Sequence, residues 1–395
     1  MASLNRTHLS DLRGAARMAF DASVGIAGLV ENMHRTIQKV RAPLGAPTTE
    51  ATRGITGFVY RSVSGGLRLV GRSIDFGLAP VVALLPEGES TPVRDAYLSA
   101  INGVFGDYLA GTGNTLALDM ILRHRGRRVD PANPAQGLAE AGSAEPTRKL
   151  LVLVHGLCLN DLQWTREGHN HGEALANELG FTPLYLRYNS GLRVADNGRG
   201  LSDLLETLLA SWPQPVDELV IIGHSMGGLV ARSAVHHARE SRQAWLKHLH
   251  KMVFLGTPHH GAPLERGGHR LDFVMELSPY SAPFTRLGKQ RSAGITSLRH
   301  GTITDGPHRC VPLPAGIKCY AAAATLGSKR DLLAERLVGD GLVPLDSALG
   351  RHKDPAQTLA FPKQHQWVGH GIGHLELLNR AEVYAQLHEW LRPAD

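Results

Sequence analysis

The chain holds only three cysteines in 395 residues, none in a CxxC spacing. That excludes a disulfide framework and argues against a cysteine-built zinc site. Cys310 and Cys319 are near enough in sequence to close a short loop in an oxidising compartment, with buried free thiols as the default. Long apolar runs are missing as well. The best attempt, from Gly54 to Leu85, is interrupted by Arg61, Arg68, Arg72 and Asp75, short of the roughly 18 uncharged residues of a membrane span. No secretory pattern opens the chain, because Asp11, Asp21 and Glu31 break any apolar core, so a cytoplasmic location is expected. Basic residues cluster at one place, Arg123-His124-Arg125-Gly126-Arg127-Arg128, which reads as a solvated turn. Without a basic stripe interleaved with aromatics, nucleic acid is not an expected partner.

What is present describes a folded protein. Hydrophobic residues make up 43%, charged residues 20%, and the net charge is a mild +6, the balance of a globular chain with a sizeable core. The most informative stretch is Gly223-His224-Ser225-Met226-Gly227. It follows the apolar run Leu219-Val220-Ile221-Ile222 and precedes a helix-compatible segment from Gly228 to Ala234. A strand turning sharply into a helix holds its apex residue in strained geometry, and small neighbours let the two elements approach. Ser225 is thereby presented as a nucleophile. A serine hydroxyl needs a base within reach and a carboxylate to orient that base.

Other segments carry further signals. Leu150 to Val154 is a continuous apolar run like a central parallel strand, ending in His155-Gly156-Leu157. Thr182 to Asn189 and Lys251 to Gly256 read as strands, separated by helix-like stretches at Glu173 to Leu179 and Gly200 to Leu209. Such alternation predicts a parallel sheet covered on both faces. Leu255-Gly256-Thr257-Pro258-His259-His260-Gly261-Ala262-Pro263 ends the second of these strands. Ile317 to Ala324 reads as a buried strand, followed by Gly339-Asp340-Gly341. Gly369-His370-Gly371-Ile372-Gly373-His374 then leads into an amphipathic helix from Arg380 to Leu391. Leu116 to Arg123 is either a first antiparallel strand or a helix ending in basic residues, and Pro131 to Pro146 reads as an exposed loop.

With these motifs in register, residues 150 to 391 resemble the lipase branch of the α/β-hydrolases, including lipase-like proteins of the inositol-deacylase (PGAP-like) type. The resemblance implies an α/β fold with a mostly parallel sheet, a lid at about 262–300, and the order nucleophile, acid, histidine. Asp340 then takes the acid's place and His374 the base's. His370 is the nearest rival base, and Asp346 and Asp305 are fallback acids. The backbone N–H groups of Leu157 and Met226 are the expected oxyanion hole. His155, Gly156, His224, Thr257, Pro258 and His259 are the expected substrate-lining positions, although His155 either orients its loop or merely packs beneath it. Glu376 stands where some relatives place a calcium ligand, but Arg380 stands where another oxygen would be needed, so no metal or other cofactor is expected.

Residues 1–112 read as a helical region ahead of a catalytic domain at 113–395. Its stripes are Leu12, Ala16, Phe20, Val24 and Ala27, then Ile55, Val59, Val63, Leu67 and Val70, then Leu98, Ile101, Phe105 and Leu109. The default is packing on the catalytic domain, with peripheral contact to a lipid surface as the functional alternative. The expected activity is hydrolysis of esters with apolar acyl groups, lipids and polyesters both fitting. An acyltransferase or thioesterase on the same fold, and a noncatalytic membrane- or partner-binding scaffold, are the competing readings. Oligomeric state is not legible.

Overall fold

The computed structural model describes residues 10–11, 13–18, 92–142, 145–262, 292–305, 311–327 and 339–393. Most of the expected lid, Cys310, the stripe at 55–70 and all of the stripe at 12–27 except Ala16 lie outside the described residues. The chain divides into two units, one comprising residues 1–91 with 109–117, the other 92–108 with 118–395. Of the first, Asn114 Nδ2 donates to Gly14 O (3.1 Å) and Thr115 Oγ1 to Ser10 O (2.8 Å).

The second unit is built on an eight-stranded sheet. Its strands are β1 (Ile121–His124), β2 (Arg127–Val129), β3 (Lys149–Val154), β6 (Thr182–Arg187), β7 (Glu218–His224), β8 (Leu249–Leu255), β9 (Lys318–Thr325) and β10 (Gln366–His370), while β4 (Thr165–Arg166) and β5 (His169–Asn170) form a separate hairpin. The spatial order is β2-β1-β6-β3-β7-β8-β9-β10. Only β1 runs antiparallel, to both β2 and β6; the remaining pairings are parallel. Leu116 to Arg123 thus contributes a strand and not a helix, and Gly369 and His370 end a strand, β10, that the local sequence pattern does not announce.

Both faces of the sheet are covered, which is why β3 and β7 are apolar without alternation. Leu151 and Leu153 of β3, Val220 and Ile222 of β7, Val253 and Leu255 of β8 and Tyr320 and Ala322 of β9 share one face, as the two-residue strand period requires. Against them lie Leu175 of α3 (His171–Leu179) and Val383, Leu387 and Trp390 of α8 (Ala381–Leu391). Each such side chain contributes about 1.5–3 kcal/mol when buried. Two further helices, α4 (Val194–Ala210) and α5 (Met226–Glu240), pack tightly on each other, with Gly198 set against Ser233, and α6 (Ala293–His300) comes later in the chain.

Residues 131–146 are not simply an exposed loop. Pro134–Glu140 form a short helix, α2, with Pro134 at its start and Pro134, Gly137 and Leu138 buried. The fixed φ of proline suits a first helical position, and Gly137 lets the helix approach β2: a Cβ there would sit 2.9 Å from Arg128 O. The stripe at Leu98 to Leu109 lies in α1 (Pro92–Gly111), whose residues 92–108 belong with the sheet unit. No helix among the described residues is long and apolar enough to cross a membrane.

Candidate active site

Ser225 links β7 to α5 with φ 53° and ψ −125°, a conformation that costs a non-glycine residue on the order of 1–3 kcal/mol. The surroundings enforce it. Ser225 N–H donates to Leu255 O (2.8 Å), and Gly228 N–H donates to Ser225 O (3.1 Å). A Cβ on Gly223 would meet Gly228 Cα at 2.5 Å, and one on Gly227 would collide with Val154 O. The glycines therefore allow strand, turn and helix to close on one another.

Asp340 lies in the turn that follows β9. Its Oδ1 accepts from the N–H groups of Leu342 (3.0 Å) and Val343 (2.8 Å), and its Oδ2 accepts from His374 Nδ1 at 2.7 Å. A second bond, His374 N–H to Asp340 O (3.1 Å), ties the backbones together. Both side chains are buried. Because a carboxylate only accepts, Nδ1 carries the proton and Nε2 presents a lone pair. His374 Nε2 is buried without a hydrogen-bond partner among the described residues. Its ring stands beside Gly256, where a Cβ would lie 3.1 Å from His374 Cε1 and 3.1 Å from Asp340 Oδ2. Gly256 directly follows Leu255, whose carbonyl holds Ser225. Ser225 Oγ makes no hydrogen bond to Nε2 in this arrangement; such bonds are commonly long in free enzymes and tighten with substrate.

The loop after β3 completes the surroundings of the serine. A Cβ on Gly156 would lie 3.0 Å from Ser225 Cβ. Leu157 is buried, and Cys158 takes φ 60° with its N–H donating to Ser190 Oγ (3.1 Å). Met226 is the first residue of α5, where backbone N–H groups lack intrahelical acceptors. His155 stacks on Tyr188 at 4.3 Å, its Nδ1 contacts Gly156 O (2.8 Å), and Tyr188 Oη donates to His155 O (2.8 Å). Burial lowers the His155 pKa to about 4.

The remaining candidates occupy distinct places. His224 is wholly buried, its Nε2 3.1 Å from His374 O. Thr257 Oγ1 approaches Gly223 O (3.5 Å), and His259 sits edge-on to Phe254, with Arg232 Nη1 3.3 Å from its Nδ1. The turn at Pro258 is clamped to α7 (Leu345–Ala348) by His259 N–H to Ser347 O (3.2 Å) and His260 N–H to Ser347 Oγ (3.2 Å). His370 ends β10 opposite Thr325. Among the described residues neither fallback acid bonds a histidine: Asp346 lies 3.8 Å from Arg351, and Asp305 pairs with Arg193 and Arg199. Glu376 Oε2 accepts from Gly373 N–H (2.7 Å), and among the described residues no cluster of three or more His, Cys, Asp or Glu is disposed to hold a metal ion.

Two features escaped the sequence. Helix α1 packs on the loop after β3, with Gly103 against Cys158 and Asn189 Nδ2 donating to Gly106 O (2.9 Å). Beside it Asp95, Arg123, Asp161 and Arg187 form a buried ionic group: Arg123 Nη1 lies 2.9 Å from Asp95 and 3.3 Å from Asp161, and Arg187 Nη2 lies 3.1 Å from Asp95. Arg123 is thus no part of a solvated turn, although Arg125, Arg127 and Arg128 are exposed. Local sequence carried no signal for this, since the four charges are brought together by α1, β1, β6 and the turn at Asp161.

Residues 185–310 match the family described as PGAP1-like alpha/beta domain. No curated protein matches the sequence. Among solved structures, the mature lipase BlEst2 of Bacillus licheniformis is similar at 18% identity over 69% of this chain and 97% of that one, with a TM-score of 0.42. The esterase PF2001 of Pyrococcus furiosus is similar at 14% identity over 62% and 82%, with a TM-score of 0.38. Lipase B of Aspergillus fumigatus is similar at 14% identity over 65% and 58%, with a TM-score of 0.34. By its strand order, its single antiparallel reversal and the serine at its strand-to-helix turn, the chain has the α/β-hydrolase fold.

Proposed function

We propose that this protein is a serine carboxylic-ester hydrolase acting on esters with apolar acyl groups. One observation carries the reading: the buried 2.7 Å pair of His374 and Asp340 leaves an unpartnered Nε2 on a ring that stands beside Gly256, the residue after Leu255, whose carbonyl holds the strained Ser225 turn. Ser225 Oγ attacks the ester carbonyl carbon while His374 Nε2 takes its proton. Asp340 holds the resulting imidazolium in orientation. Charge that develops on the carbonyl oxygen is met by the N–H groups of Leu157 and Met226. The C–O bond to the alcohol then breaks, and His374 returns the proton to the departing oxygen. Water repeats the sequence on the acyl-serine, releasing the acid and restoring the hydroxyl.

An oxygen ester is the linkage put forward here, and lipids and polyesters both offer an apolar acyl part. The test is turnover of a p-nitrophenyl ester chain-length series beside acyl-CoA. Wild type is expected to cleave the esters, and Ser225→Ala to lose on the order of 10⁴-fold or more in kcat. Thioesters turned over far faster than every oxygen ester would replace esterase by thioesterase. Full activity in Ser225→Ala would overturn the mechanism.

A further inference from the structure

His374 opens a single 3₁₀ turn, His374–Leu378, and two buried imidazoles reach its backbone. His224 Nε2 lies 3.1 Å from His374 O, and His171 Nε2 lies 3.1 Å from Leu377 O. A carbonyl oxygen only accepts, so both nitrogens carry hydrogen and both rings are fixed as donors at that position. The second ring is itself held by its neighbour: His169 Nε2 is 2.8 Å from His171 Nδ1, with Tyr384 stacked over His171. Burial keeps both supports neutral, pulling His171 down to about 4 and His224 well below the ordinary histidine value.

His224 occupies the junction of the site. Its backbone adjoins Ser225, its ring centroid is 4.7 Å from that of His374, and a Cβ on Gly156 would lie 3.3 Å from its Nδ1. One ring therefore touches the nucleophile's turn, the base's turn and the loop that carries Leu157. Being wholly buried, it offers no face to a bound ester.

We propose that His224, assisted by His171, is a positioning residue that sets the place of His374 by donating from Nε2 to the backbone of the base's own turn. The proposal rests on the triad reading above for its catalytic consequence and on hydrogen bonding alone for its structural one. Glutamine offers the discriminating substitution. Its amide nitrogen stands the same number of bonds from Cβ as histidine Nε2, whereas the asparagine amide matches Nδ1.

The experiment compares His224→Gln, His224→Asn and His224→Ala in the full chain, reading kcat and KM on p-nitrophenyl butyrate, the melting temperature, and the far-downfield NMR proton that His374 Nδ1 shares with Asp340. His224→Ala should lower kcat by ~10²-fold, the scale of a misplacement of about 1 Å, with KM changed by less than about twofold, and should weaken or broaden the downfield proton. His224→Gln should recover at least about tenfold of the loss and restore the proton, while His224→Asn should not. His171→Gln against His171→Ala should repeat the pattern at smaller amplitude. Equal deficits in the glutamine and alanine variants, or losses that track only the melting temperature, would overturn the proposal. If wild type shows the downfield proton and its dependence on His224 but no ester turnover, the positioning role stands and the proposed activity fails.

Discussion

The Asp340 carboxylate accepts three hydrogen bonds, two from backbone N–H groups and one from His374, so its replacement by asparagine tests orientation without removing volume. The asparagine nitrogen facing His374 would favour the wrong ring tautomer. Asp340→Asn is expected to reduce kcat by on the order of 10⁴-fold while circular dichroism stays that of wild type, and retention of activity would remove Asp340 from the relay. Ser225 stands out in the sequence because glycines flank it at the end of an apolar run, whereas Asp340 and His374 are singled out only by the order nucleophile, acid, histidine that the resemblance implies. His224 was legible as a neighbour of the serine but not as a donor to His374. That contact joins positions 150 residues apart, and no local pattern encodes it.

Helix α1 shows how an element outside the sheet bears on the site. Gly103 faces Cys158, and a Cβ at 103 would lie 3.0 Å from Cys158 Cα and N as well as running into Sγ. Cys158 is already held at φ 60°, directly after Leu157. Gly103→Ala should therefore displace this loop, lowering kcat by ~10²–10³-fold, the cost of one oxyanion donor, with an overpacking penalty of about 1–3 kcal/mol in urea denaturation. A variant with unchanged kcat would mean that α1 does not govern the loop. Sequence periodicity located this helix and most strands, because covered parallel strands are continuously apolar. It missed α2 and β10, which are short, glycine-containing and stabilised by neighbours and not by their own pattern: Gly137 against β2, and β10 paired, among the described residues, only with β9.

Over the whole sheet unit, buried neutral histidines couple stability to pH. His155 and His171 are lowered by burial from an ordinary 6.5 to about 4, and His224 and His259 are pulled well below it. Between pH 6.5 and 4 the unfolded chain takes up protons at these positions that the folded chain refuses, so stability present above 6.5 is lost as the pH falls. His155 and His171 each account for on the order of 3 kcal/mol across that window. Urea midpoints measured from pH 7 to 4 should fall steadily, and less steeply in His155→Phe; a flat profile would contradict the buried, neutral assignment. The placement of these rings could not be read from a chain with 21 histidines, since burial depends on which elements pack over each.

The most direct measurement is the intact mass of the protein after treatment with a fluorophosphonate probe, with the adduct located by peptide mapping. One adduct is expected, on Ser225, absent from Ser225→Ala and strongly slowed in His374→Ala. An adduct at another residue, undiminished labelling of Ser225→Ala, or no labelling of folded wild type would contradict it.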